Sequence, residues 1–427
     1  MSAPTHPLQV RDYRLIWLTR FFSVSATNAM VVVIGAQVYQ SARIEYGMDK
    51  AEAAFLLGVL GLVQFIPFML LTPVAGLVAD RMDRRYVAAV ASAIDLLIAL
   101  VLGAANAFDA LSLPLLFSMA AVYGAARVFI GPAVSAITPN VVPAELLPKA
   151  IATSSIAWQA GAVIGPALGG FMLAHDTALP YWYSAVVLLI AIGAVLAINH
   201  RAPPAAAKEP PLKLIAEGAK FVWHERFLLG CVSLDLFAVL LGGATAMLPA
   251  FAYDVLPAGS FGLSPEEMLG MMRGAPALGA AVVALYLGFR PIARNVGAKM
   301  LWAVAVYGLA TLAFGLSTSF LLSLASLTVL GAADGISVFV RNTLIQLNTP
   351  DDKRGRVSSI SGLAISASNE LGEMQSGLAA AFLGPVAAVA LGGVGAIVVT
   401  AIWTVLFPEL KRAKTFAPQY RNKEQVS

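Results

Sequence analysis

Charge is what this chain has least of. Asp, Glu, Lys and Arg make up 12% of its 427 residues against 59% apolar ones, and the mean hydropathy is +0.79. A soluble domain of this length is excluded, because too little polar surface exists to cover so much apolar mass. Cysteine is nearly absent. The single Cys231 rules out an internal disulfide or a cysteine-built metal cluster, and its place near the start of an apolar run reads as a small hydrophobe. The four histidines, His6, His175, His200 and His224, fall in expected tails and loops, which leaves no intramembrane imidazole as metal ligand or proton relay. Missing too are an H-E-x-x-H motif, a P-loop and any large polar domain, so the expectation is no enzyme, no cofactor, no metal and no ATP site. The first apolar run carries Arg20 and lacks a small-residue cleavage pattern, so it reads as a retained span rather than a signal peptide.

What is present is a series of long apolar runs. A membrane helix needs roughly 20 apolar residues, and about twelve windows supply them, at roughly 14–39, 53–79, 86–107, 112–137, 147–173, 180–199, 228–253, 266–289, 297–317, 319–346, 357–382 and 384–408. The fold class expected is an all-α membrane protein of twelve spans. Basic residues fall in alternate gaps: Arg11 and Arg14, then Arg81, Arg84 and Arg85, Lys149, the mid-chain gap, Arg290, Arg294 and Lys299, Lys353, Arg354 and Arg356, and finally Lys411, Arg412 and Lys414. The other gaps hold only Arg43 and Lys50 beside acids such as Asp49, Asp109, Asp176, Asp254, Glu266 and Glu267. This asymmetry predicts both termini in the cytoplasm of a multi-pass plasma-membrane protein. It also accounts for the sequence pI near 9.1 without nucleic acid as a partner.

The longest polar stretch, His200 to Phe227, divides the chain near its middle. Its first part is a Pro/Ala tether; its second places Lys213, Glu217, Lys220 and His224 on one helical stripe, expected to lie on the inner membrane face. The domain reading is therefore 1–199 as a first six-span half, 200–227 as the linker, 228–410 as a second half and 411–427 as a cytoplasmic tail. The halves repeat: Thr138-Pro139 and Thr349-Pro350 occupy the same gap after the fourth span of each. Parallel six-span repeats are the architecture in which one half rocks against the other around a central site.

The segment G-L-V-A-D-R-M-D-R-R, Gly76 to Arg85, lies between the second and third spans. Asp80 ends a span with Arg81, Arg84 and Arg85 close by, so as an anion it can pair with them or meet the positive N-terminus of the helix beginning near Arg356. Such a contact holds one state closed and must break in the other; alternatively, the arginines only fix topology. In the fifth span, Gly161, Gly165 and Gly169 form a stripe spaced by four that admits a neighbouring helix, with Pro166 bending the span and Gly170 beside it. These two signatures resemble those of the major facilitator superfamily, and the fifth-span pattern resembles its drug and proton antiporters. Arg127-Val128-Phe129-Ile130-Gly131-Pro132 and the stretch from Gln346 to Val357 further resemble the bacterial branch that contains the enterobactin exporter. The corresponding second-half loop, G-F-R-P-I-A-R-N-V-G-A-K, departs from the family pattern in lacking the acid.

Ionisable residues inside spans are costly and are functional candidates for that reason. The acids are Asp95, Asp235, Asp334, Glu370 and Glu373; the bases are Arg20, Arg127, Arg273 and Arg341. Glu370 and Glu373 share a helical face, where two carboxylates discourage joint ionisation, so they lead as proton-coupling candidates, followed by Asp235 and Asp334. The resemblance makes the first and fourth spans of each half line the cavity, which selects Arg127 for substrate anchoring or charge balance. Arg20, Asn28 and Trp158 join it as substrate candidates. A competing possibility is that Asp334 pairs with Arg341, and Asp95 with Arg127 or Arg20, carrying no proton at all.

The expectation is a secondary exporter of small amphipathic molecules, drug, siderophore or hydrophobic metabolite, by proton antiport. Its partners are then the substrate, protons and the lipid bilayer, with the chain acting as a monomer. A nutrient symporter of the same fold and a nontransporting membrane sensor remain the alternatives.

Overall fold

A computed structural model describes residues 4–199, 211–290, 292–350 and 353–418, with every side chain in them except those of Gly76, Ala79, Asp80, Pro211, Leu212 and Leu214. Among the described residues the regular structure is helical, with no strand. In chain order the helices are α1 (Arg11–Ile44), α2 (Lys50–Arg81), α3 (Arg84–Ala107), α4 (Leu113–Val141), α5 (Leu147–Leu173) and α6 (Leu179–Leu196). After a linker helix α7 (Pro211–His224) come α8 (Arg226–Leu241), the single turn α9 (Leu248–Ala250), α10 (Pro265–Phe289), α11 (Val296–Gly315), α12 (Phe320–Asn348), α13 (Arg354–Leu383), α14 (Pro385–Leu406) and the short α15 (Pro408–Arg412).

Eleven of the described segments are long and apolar enough to cross a membrane. The remaining expected span is α13, which has the length at 30 residues but carries Ser361, Ser368, Asn369, Glu370, Glu373 and Gln375. Its polarity is tolerable because it packs among α2, α8 and α14, with protein replacing lipid around it.

The seventh span differs from the continuous helix expected. It stops at Leu241, passes through a 3-10 turn at Ala244–Met247 and α9, and ends in a π turn at Phe251–Val255. The Gly242-Gly243 pair explains the break, since two residues without side chains weaken the helix where it must bend. Pro249 removes a further backbone donor. The groups freed there find partners: Tyr307 donates its hydroxyl to the Gly242 carbonyl at 2.9 Å, and Arg273 donates to the Thr245 carbonyl at 3.1 Å.

Two groups of helices result. In one, α1 packs on α5 and α6, α2 on α4, and α3 on α4 and α6; in the other, α10 packs on α12, α11 on α12 and α14, and α13 on α8 and α14. They meet along two seams, α2 against α13 and α5 against α10. Glycines set the spacing at both. A Cβ placed on Gly58 would lie 2.8 Å from the Cα of Gly377, and one on Gly270 would lie 2.9 Å from the Cα of Gly170. Both contacts sit toward the end of the molecule that carries the α1–α2 turn, where capping boxes at Asp49 with Glu52 and Ser264 with Glu267 start α2 and α10.

At the other end, α7 lies against the start of α13 and touches α2. Glu217 of the polar stripe accepts from Arg356 at 2.7 Å and lies 3.9 Å from Lys213, while Lys353 sits 4.5 Å from the centroid of the Phe221 ring. The Pro/Ala tether, 200–210, lies outside the described residues.

Candidate functional site

The seam between α2 and α13 holds the two glutamates singled out from sequence, and it gives each a different arginine. Glu370 forms an ion pair with Arg127 of α4, across the two groups. Glu373, nearly one turn further along α13, lies 3.7 Å from Arg273 of α10, within its own group. Arg127 is further held over the rings of Phe68 and Tyr123, its guanidinium carbon 4.9 and 5.7 Å from their centroids, a placement that favours a cation. Glu373 and Arg273 border a small cavity of about 40 Å³ with Gln64 and the irregular seventh span. The backbone break at Gly242-Gly243 thus helps to place Arg273, because the Thr245 carbonyl it exposes holds that side chain.

The first group contains a larger cavity of about 340 Å³, within the size range of small-molecule sites. All four substrate or charge-balance candidates, Arg20, Asn28, Arg127 and Trp158, line it. Arg20 donates to Ser154 at 2.7 Å and Asn28 to the Val24 carbonyl at 2.9 Å. Thr19, Ser23, Thr27, Tyr123 and Asp95 complete its polar wall. Of the other aromatic and amide residues in the spans, Gln37 is taken up elsewhere: it bonds Asn106 at 2.6 Å and Tyr181 at 2.7 Å.

Asp235 and Asp334 belong to a second cluster. Arg341 is buried and forms an ion pair with Asp235 of α8, not the same-helix pair with Asp334 that sequence spacing allowed. Asp334 lies within electrostatic reach of both.

A contact that sequence reasoning missed closes the end bearing the α1–α2 turn. Tyr39 donates its hydroxyl to Asp254 at the end of the seventh span, and Lys50 and Arg43 lie 3.1 and 3.7 Å from the same carboxylate. Beside them Gln40 donates to Glu266 at 3.1 Å. The available signal was that Arg43 and Lys50 are the only bases in gaps otherwise acidic.

In the last turns of α2, the Asp80 side chain and the surroundings of Gly76 lie outside the description. Arg85 is buried and engaged by Asp83, at 2.7 Å through one terminal nitrogen and 3.1 Å through Nε, and by the Ile198 carbonyl. Arg84 donates to the Ala136 carbonyl at 3.1 Å, and Arg81 is exposed. Asp83, not weighed from sequence, is therefore the acid that holds Arg85. On α5 the glycines serve two faces. Gly161, Gly165 and Gly169 abut the backbone of α1 at Phe21, Ser25 and Ala29, whereas Gly170 abuts Glu266 and Gly270 of α10, as the Pro166 carbonyl abuts Gly270. The stripe is thus internal packing on one side and a seam on the other.

Comparison with known proteins follows the same lines. A family model described as Major Facilitator Superfamily matches residues 16–372. A protein of Citrobacter koseri named enterobactin exporter EntS is 26% identical over 423 residues, covering 97% of this chain and 95% of that protein. Its namesake in Shigella boydii serotype 18 is 25% identical over 422 residues, with the same coverage. Among solved structures, the peptide transporter POT in complex with sulfate superposes with a TM-score of 0.73 at 14% identity, covering 97% of each chain. The POT family transporter PepTSo gives 0.72 at 13%, covering 96% of this chain and 99% of that one. At these identities the structures speak for the fold alone.

Proposed function

The chain belongs to the Major Facilitator Superfamily, and we propose that it is a secondary active exporter of small amphipathic molecules that exchanges protons for substrate by alternating access. The observation that carries this reading is the ion pair of Arg127 with Glu370, which joins the two helix groups inside the seam through a protonatable acid. A proton on Glu370 removes the anion that holds Arg127 across the seam, so proton loading and separation of the groups share one switch. Glu373, tied to Arg273 beside it, is the second acid of the coupling site. Asp235 and Asp334 are assigned to supporting charge around Arg341.

The membrane is read as a bacterial inner membrane, and the distribution of Lys and Arg supports placing the end with α7 on its cytoplasmic side. The Tyr39 and Asp254 contact is then the outer closure, and Gly170 with Gly270 the tight point of its α5–α10 seam. Asp80 with Arg81 and Arg84 is proposed to close the opposite end in the alternate state. Residues 1–199 and 228–410 move as the two halves about the 200–227 linker, in a monomer. Substrate enters the 340 Å³ cavity, where Arg20 and Arg127 favour an anionic group and Trp158 and Tyr123 an aromatic one. Those features suit a siderophore, and relatives named enterobactin exporter support that class over other drugs and hydrophobic metabolites.

A deletion strain tests the reading directly. Intracellular accumulation of one iron chelator, restored to normal by the wild-type gene, is expected. Broad drug sensitivity without chelator accumulation would move the substrate class to multidrug efflux, and no change in either would overturn export.

A further inference from the structure

The cavity wall contains two orphans of opposite sign. Asp95 on α3 is 1% exposed, and its Oδ1 has no hydrogen-bond partner. Arg127 on α4 spends one terminal nitrogen on Glu370, while its buried Nε has no partner. Both residues line the same cavity, as does Tyr123, whose ring centroid lies 5.7 Å from the Arg127 guanidinium carbon. The charged and titratable groups sharing that wall are Arg20, Asp95, Tyr123 and Arg127; Arg20 is anchored on Ser154.

A buried carboxylate without a partner is costly, and a buried guanidinium deprived of its bonded anion is costlier. From α13, Glu373 also acts on Arg127, but Arg273 engages it at 3.7 Å. Once Glu370 is neutral, Arg127 therefore faces that second cost unless an uncommitted anion replaces it. We propose that Asp95 is the alternate partner of Arg127: the guanidinium leaves Glu370 for Asp95, exchanging a bond between the two helix groups for one within the first. The α2–α13 seam is freed while the cation stays paired. Asp95 is thus a positioning residue, acting through Arg127. This rests on reading Glu370 as the proton carrier, but it can be tested without transport.

The test is a set of thermal unfolding midpoints for the purified full chain, with Glu370→Gln mimicking the protonated acid. In the wild-type background, Asp95→Asn leaves Tm unchanged or raises it, since the carboxylate has no partner to lose. Combined with Glu370→Gln it lowers Tm, and the two changes are strongly non-additive. Asp95→Glu in the same background restores the midpoint. Adding Arg127→Gln abolishes the penalty of Asp95→Asn, whereas adding Arg20→Gln leaves it in place. Additive midpoints, or a penalty removed by Arg20→Gln instead, would overturn the exchange. If the Asp95→Asn, Glu370→Gln double variant yields no folded protein, yield is read in place of Tm: recovery on adding Arg127→Gln supports the proposal, and no recovery overturns it. A chain that passes this test but ignores an imposed pH gradient in transport would refute proton coupling and leave the exchange standing.

Discussion

Glu370 and Glu373 stand nearly one turn apart on α13, yet Glu370 bonds Arg127 of the other helix group and Glu373 faces Arg273 of its own. One acid therefore controls a bond that must break when the groups separate, and its neighbour does not. The difference yields distinct expectations for the two positions.

Glu370→Gln should uncouple the carrier. Flux driven by a pH gradient in proteoliposomes is expected to fall roughly tenfold or more, on the order of a typical coupling free energy. Exchange of substrate for substrate, which needs no net proton movement, should persist. Glu373→Gln should lower both, because it also releases Arg273 from the wall beside the broken seventh span.

The Asp235 and Arg341 pair gives a stability prediction. Removing one member of a buried pair costs about 3–5 kcal/mol, while replacing both by apolar residues of similar volume is often neutral. Arg341→Met alone should therefore lower the unfolding midpoint steeply, and Asp235→Leu with Arg341→Met should recover most of the loss. Calorimetry or fluorescence-monitored melting of the purified chain reads both.

At the closed end, Asp254 meets Tyr39, Arg43 and Lys50 at once. Asp254→Asn weakens all three contacts, of which the two partly exposed ion pairs are each worth about 0.2–1 kcal/mol, so opening at this end should increase severalfold. A cysteine at Thr245, bordering the small cavity behind the closure, should then react faster with a membrane-impermeant maleimide added to that face. The native Cys231 is buried and gives a low background.

The seam glycines predict a trapped state. Gly270→Val places a branched side chain against Gly170 and the Pro166 carbonyl, where no space exists with this end closed. Transport should be lost with the chain still folded, and the Thr245 cysteine should be permanently reactive. Gly165→Val, which meets α1 within one group, should instead lower stability.

The all-helical membrane fold was legible in the sequence because membrane spans are long, apolar and separated by basic gaps, and eleven of the twelve expected spans are long and apolar enough to cross a membrane. The least apolar of the expected spans, 357–382, falls inside the helix α13, whose small residues and acids lie between clear turns. Pairing was less legible. Spacing on one helix suggested Glu370 beside Glu373 and Asp334 beside Arg341, but cross-helix geometry gave Glu370 to Arg127 and Arg341 to Asp235. No one-dimensional pattern encodes which faces of distant helices meet. The break in the seventh span had a local signal, Gly242-Gly243, that an apolar window averages away. Tyr39 carries no signal in the sequence, and only its approach to Asp254 distinguishes it.

The most direct test of proton-driven export uses the purified chain in proteoliposomes with the molecule that the deletion strain retains. Its transport is measured with and without an imposed pH gradient, for wild type and Glu370→Gln. The account predicts that the gradient accelerates wild-type flux and leaves Glu370→Gln unaffected. Wild-type flux indifferent to the gradient, or acceleration of Glu370→Gln equal to wild type, would contradict it.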